Sequence, residues 1–112
     1  MKPRAQQQLS EELHRVFALN IAGITQQSWD DVIKSSEAIA QFLDNKKIVV
    51  DLVFLTNDNG IQFVFQQGKH IICITACSPD GEMIFSGQCP DEVFTKGINS
   101  IDDLQTTLDY LC

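Results

Sequence analysis

Two kinds of hydrophobic spacing divide the chain. Up to about residue 47 the apolar residues recur at intervals of three and four; from Ile48 to about Gly87 they alternate with a period of two; the helical spacing then returns near the end. In the first part, Leu9, Leu13, Val16, Phe17, Ile21 and Ile24 predict a helix between about Pro3 and Ala22. Ser10-Glu11-Glu12 is an alternative start and Gly23 a stop. A second helix follows, with Ser28 at the cap position and Asp30 and Asp31 in the first turn, where the helix dipole favours anions. Trp29, Val32, Ile33, Ile39, Ala40 and Leu43 form its apolar stripe, and Asn45 with Lys46 and Lys47 ends it.

The period-two region resolves into strands at Ile48–Leu55, Ile61–Gln66, His70–Ser78 and Met83–Gly87. Asn57-Asp58-Asn59-Gly60, Gln67-Gly68-Lys69 and Pro79-Asp80-Gly81 connect them. All three connections are short and contain glycine, as antiparallel hairpins require, so a four-stranded meander is predicted. Gln88 to Asn99 holds no persistent period and reads as a loop, with a turn of helix near Asp91–Phe94. Ser100 opens a last helix, Asp103 completing an acidic variant of the capping box, and Ile101, Leu104, Leu108 and Leu111 form its buried face. The fold class expected is α+β in a single domain spanning 1–112: two N-terminal helices, a four-stranded antiparallel meander sheet and a C-terminal helix.

Alternation assigns Ile48, Val50, Leu52, Phe54, then Ile61, Phe63, Phe65, then Ile72, Ile74, Ala76, then Met83 and Phe85 to one apolar surface that the helices must cover. The opposite surface is mixed. A helix lying over it is the first expectation; the other is a face left open to a partner or a second copy.

Composition adds limits. At 112 residues, one core burying roughly two thirds of the unfolded chain's surface is expected. With 44% hydrophobic and 21% charged residues, the chain is of ordinary globular character and not that of a disordered segment. No apolar run follows the N-terminal charges and none is long enough to cross a bilayer, so a cytoplasmic location is expected. The four cysteines read as reduced thiols, three of them in or beside strand-like segments.

Charge is unevenly spread. The net value is −7, yet residues 1–69 nearly balance, while residues 70–112 carry Asp80, Glu82, Asp91, Glu92, Asp102, Asp103 and Asp109 against Lys96 alone. Such a segment repels nucleic acid and anionic lipid and attracts a basic partner. Direct nucleic-acid binding and membrane binding are therefore not expected.

His70, Cys73 and Cys77 lie close in sequence, but residues four apart on a strand are about 13 Å apart, too far to share a zinc ion at about 2.3 Å. No metal or cofactor is expected. His70 falls on the opposite side of its strand from Cys73, His14 belongs to the first helix, and neither pairs with a nucleophile by spacing. Aligning Gly60 with the invariant glycine of a calcium loop puts Leu55 and Gln66 where carboxylates are needed. Three of the four adjacent acid pairs sit at helix starts, where capping accounts for them. Asp51 interrupts an apolar strand and is expected on the mixed surface. The expectation is a non-enzymatic, protein-binding role.

The acids of the second half fall on turns and loops that tip the sheet, where recognition residues commonly lie. Asp80, Glu82, Asp91, Glu92, Asp102 and Asp103 are the candidate partner-binding set. In size, charge and α+β make-up the whole chain resembles the small acidic immunity proteins of bacterial contact-dependent growth inhibition toxin systems. That resemblance rests on no motif and carries over no residue. It implies an intracellular inhibitor that covers a basic toxin domain, often a nuclease, with carboxylates, acting as a monomer in complex with its partner in preference to a homodimer. The chain is also similar to type III secretion chaperones, acidic homodimers that hold an effector segment. Their strands are split by a helix, whereas here two helices precede an uninterrupted meander.

Overall fold

Helix α1 (Ala5–Ala18) begins the computed structural model, which describes residues 4–25, 27–78, 80–89 and 92–111, without the side chains of residues 22, 89, 92 and 111. A short 3-10 turn (Ile21–Gly23) separates it from α2 (Asp30–Asn45). Strands β1 (Leu52–Leu55), β2 (Ile61–Gln67), β3 (His70–Cys77), β4 (Glu82–Cys89) and β5 (Glu92–Ile98) follow, and α3 (Ile101–Leu111) closes the chain. The sheet is an antiparallel meander in the order β1-β2-β3-β4-β5.

The α+β class and the meander are as the sequence implies, and the sheet has a fifth strand. Glu92–Ile98, read as loop and helical turn, pairs with β4 from Cys89↔Glu92 to Met83↔Ile98. Its alternation is masked because Lys96 occupies a position on the helix-covered side, opposite Phe85, between Phe94 and Ile98. At that edge the ammonium escapes burial by reaching Asp103 of α3 at 2.9 Å. Asp91, part of the expected turn, lies outside the described residues.

The first strand is shorter than predicted, and its phase is reversed. Val53 pairs with Phe63 and Leu55 with Ile61, so Val53 faces the core while Leu52 and Phe54 face away. Val50 is nevertheless fully buried. A bend at exposed Asp51, whose N–H donates to the Val64 carbonyl at 2.8 Å, separates the two and shifts the alternation by one residue.

Helix ends also differ in detail. Helix α1 stops at Ala18, before the predicted Ala22, and Asn20 adopts a left-handed conformation; the Pro3 start lies outside the described residues. Its N-terminus is capped from a distance, the Ala5 and Gln6 N–H groups donating to the Asp44 carboxylate at 2.8 and 3.0 Å. Ser28 does not cap α2: it exchanges hydrogen bonds with Thr25 in the preceding turn, and Trp29 takes the cap position without a side-chain bond.

Helix α2 packs on β3 and β4, α1 on β1 and α2, and α3 on β5 and α2. Phe63, Phe65, Ile72, Ile74 and Phe85 are completely buried beneath them. On the other face no helix lies over the sheet among the described residues, and Leu52 and Ile71 stand half exposed. The expected covering helix is absent because all three helices are taken up by the larger apolar face.

Glu12 closes the β1 border. Its carboxylate, 9% exposed, accepts the Leu55 N–H at 2.8 Å and two bonds from Arg15 at 2.7 and 2.9 Å, while Gln8, one turn earlier, donates to the Val50 carbonyl at 2.8 Å. The Arg15 hydrogen bond, outweighing burial, holds the Glu12 carboxyl below the ordinary glutamate range. A depressed folded-state value gives stability that is complete above the ordinary range and lost as pH falls through the folded value. Glu12→Gln should therefore cost about 1 kcal/mol at neutral pH, and the difference from wild type should vanish in acid, as measured by urea unfolding at a series of pH values.

Gly81 has φ +76°, and a Cβ there would collide with the Asp31 carbonyl of α2. Gly81→Ala should lower stability by about 2 kcal/mol or more, and Tm by roughly 10 °C in a thermal melt.

Candidate functional site, an acidic end

In a meander, successive turns alternate between the two ends of the sheet. The register Leu55↔Ile61, Ile61↔Ala76, Ala76↔Met83 and Met83↔Ile98 puts the β1–β2 turn, the β3–β4 turn and the β5–α3 junction at one end. The start of α2 is fastened to the same end by two bonds. Trp29 Nε1 donates to the Asn59 carbonyl at 2.7 Å, and Ser35 Oγ to the Gly81 carbonyl at 2.6 Å.

This arrangement gathers seven carboxylates: Asp30 and Asp31 on α2, Asp58 in the first hairpin turn, Asp80 and Glu82 at the β3–β4 turn, and Asp102 and Asp103 on α3. Two are engaged by lysines. Lys34 meets Asp30 at 3.0 Å on the exposed surface, and Lys96 meets Asp103. The Asp103 N–H donates to Ser100 Oγ at 3.1 Å, one half of the capping box the sequence predicts, while its carboxylate accepts the Asn99 N–H at 3.1 Å in place of that of Ser100. The Lys96 hydrogen bond first, then that of Asn99, lowers its carboxyl pKa. Its role is to hold α3 against β5. Asp80 accepts the Glu82 N–H at 3.1 Å in a local turn, and Asp31, Asp58, Asp80, Glu82 and Asp102 are exposed.

Of the six carboxylates singled out in the sequence, Asp80, Glu82, Asp102 and Asp103 come to this end. Glu92 does not: paired with Cys89, it begins β5 at the opposite end, about 20 Å along the sheet at the usual strand rise. Asp91 lies outside the described residues. Asp30, Asp31 and Asp58 join the site unpredicted, because they belong to the charge-balanced half of the chain. Counting hairpin turns from the sequence would have grouped Asp58 with Asp80, since the first and third turns of a meander share an end.

Cys77, at the end of β3, reports the local field. Burial pushes its thiol pKa up, and the charges of Glu82, Asp80 and Asp58 push it further. Three carboxylates from two hairpins thus act on one sulfur. Beside it, on the open face, Asp58, Gln62, Thr75, Cys77 and Ile84 help line a shallow trough of about 280 Å³. Among the described residues no group of three His, Cys, Asp or Glu side chains is placed to hold a metal ion, and no helix is long and apolar enough to cross a membrane.

No family model, no curated protein and no solved structure matches the chain. A functional reading therefore rests on the geometry of the acidic end itself.

The thiol offers a direct measure of that field. Replacing Asp58 and Asp80 by Asn and Glu82 by Gln should raise the thiolate fraction of Cys77 and speed its alkylation by iodoacetamide at pH 8, followed by peptide mass mapping, with Cys73 as internal reference. An unchanged ratio of the two rates would show that the carboxylates do not act together.

Proposed function

We propose that the protein works by binding a basic protein through its acidic end, as an immunity protein covers the active site of a cationic toxin domain such as a nuclease. The observation that carries this reading is the strand register that brings Asp58, Asp80 and Glu82 to one end of the sheet, flanked by Asp31 and Asp102 from two helix starts. Carboxylates gathered on short turns at one end of the sheet present negative charge much as a phosphate backbone does, so lysines and arginines that grip a nucleic acid would meet them in the same way. Long-range attraction of this kind speeds encounter and makes association sensitive to salt. Such an inhibitor acts inside the cell that would otherwise suffer the toxin. It needs no catalytic group or cofactor of its own.

One observation supports a second reading, an acidic secretion chaperone that holds an effector segment as a homodimer: the sheet face opposite the helices is open. Two helices ahead of an unbroken meander differ from the type III secretion chaperones, so this reading stands behind the first.

The test is co-purification of the partner from the source cells, followed by affinity measurements across a salt series. The combined variant Asp58→Asn, Asp80→Asn, Glu82→Gln and Asp102→Asn should weaken binding at least about tenfold, a loss of about 1.4 kcal/mol, and flatten the salt dependence, with the melting curve retained. A partner bound equally well by this variant at every salt concentration would refute the acidic end as the binding surface.

A further inference from the structure

The face of the sheet turned away from the helices differs in composition from the rest of the surface. Its middle row, read across the ladder, is Leu52, Val64, Cys73, Ser86 and Thr95. The row nearer the acidic end runs from Phe54 to Gly97, and the row on the other side from Gln66 to Val93. None of these three rows contains Asp, Glu, Lys or Arg, in a chain whose net charge is −7. Lys96, the one charged residue in the body of β5, is on the helix side, paired with Asp103. Apolar side chains stand open instead: Leu52, Ile71 and Val93 are 52, 48 and 71% exposed. An antiparallel sheet face kept in water is ordinarily polar and charged, and loss of charge at the centre of a patch is the compositional mark of a protein–protein contact.

We propose that this face joins two copies of the chain, sheet against sheet, about a twofold axis that lies between them and runs across the strands. The low charge of these rows favours it: the carboxylates nearest them, Asp58 beside the trough and Asp51 at the bend before β1, lie at the margins of the face. The ends of the sheet select the orientation. Asp58, Asp80 and Glu82 lie at one end, while the other carries exposed Lys69 in the β2–β3 turn and Glu92 at the start of β5, charges that balance. An axis across the strands lays each acidic end over the end of the second copy that carries Lys69 and keeps the two acidic ends apart, whereas an axis along the strands would stack them. The area is sufficient: five strands about 4.8 Å apart and about seven residues long give on the order of 500 Å² in projection per copy, near the lower bound for specific interfaces. A micromolar dimer is the expected consequence.

This inference goes beyond the binding role proposed above and is independent of which partner the acidic end takes. A homodimer is part of the chaperone reading and is compatible with the inhibitor reading, because the acidic turns stay at the two ends of the assembly. It departs from the monomer expected from the sequence, for the reason that no helix covers this face.

The geometry makes a sharp distinction between two thiols. With the middle row on the axis, Cys73 faces Cys73 of the second copy across sheets about 10 Å apart, while the two Cys77 residues lie about 28 Å from each other. The full chain should sediment as a dimer at about 10–100 μM. A chain retaining only Cys73, its other cysteines replaced by Ser, should be joined into dimers by a short bis-maleimide; one retaining only Cys77 should not. Cys73→Lys, which sets two ammonium groups together on the axis, should give a monomer with unchanged circular dichroism; Ile71→Lys serves as a second variant should the first fold poorly. A monomer throughout that range, which would leave the face to another kind of protein, overturns the proposal. So does a dimer indifferent to both lysine variants, or cross-linking through Cys77 as efficient as through Cys73. Binding of the basic partner, measured separately on the Cys73→Lys chain, should persist.

Discussion

The fastening of α2 to two hairpin turns is the constraint on which the rest of this structure depends. Trp29, buried at the helix start, spans the gap to the Asn59 carbonyl, and two turns later Ser35 reaches the Gly81 carbonyl. Both acceptors are turn carbonyls that strand pairing does not use, so the helix supplies partners that water would otherwise provide. The fit is close enough that only glycine is tolerated at position 81, against the backbone of Asp31. Held this way, α2 crosses the sheet in one direction, buries its apolar stripe, and brings Asp30 and Asp31 to the end already carrying Asp58, Asp80 and Glu82.

That concentration of like charge has a cost, and the structure offsets only part of it. Asp103 is neutralised by Lys96 and tied to the Asn99 backbone, and Asp30 is met by Lys34. The remaining exposed carboxylates repel one another across short turns, and Glu82, Asp80 and Asp58 add to burial in raising the pKa of the Cys77 thiol. The turns that carry these charges are anchored by backbone, serine and tryptophan bonds. A binding surface built so is prepared before its partner arrives, and relief of the repulsion adds to the attraction on contact.

How much of this could be read from the chain depends on which signals were local. The hairpin turns, with glycine in each, fixed the meander, and the alternation Ile61–Phe63–Phe65 and Ile72–Ile74–Ala76 identified the buried face. Two departures arose where a single residue broke the period. Asp51 bends the chain before β1 and reverses its phase, and Lys96 interrupts β5 with a charge that is satisfied by Asp103 and Thr107 across space. Neither partner is visible from sequence spacing. The acidic site was partly legible for a similar reason. Net charge by segment drew attention to Asp80, Glu82 and Asp102, but proximity in three dimensions, set by turn parity and by Trp29, added Asp58 and the start of α2 and left Glu92 at the far end.

The Glu12 and Gln8 side chains of α1 have a bearing on how this molecule meets others of its kind in crowded conditions. By occupying the Leu55 N–H and the Val50 carbonyl they remove hydrogen-bonding sites from one margin of the sheet, whereas β5 forms the other margin with Val93, Thr95 and Gly97 exposed along it. Open-ended fibril growth by strand addition requires two receptive margins on every molecule. With one of them occupied by a helix, backbone pairing taken by itself stops once two β5 margins have met.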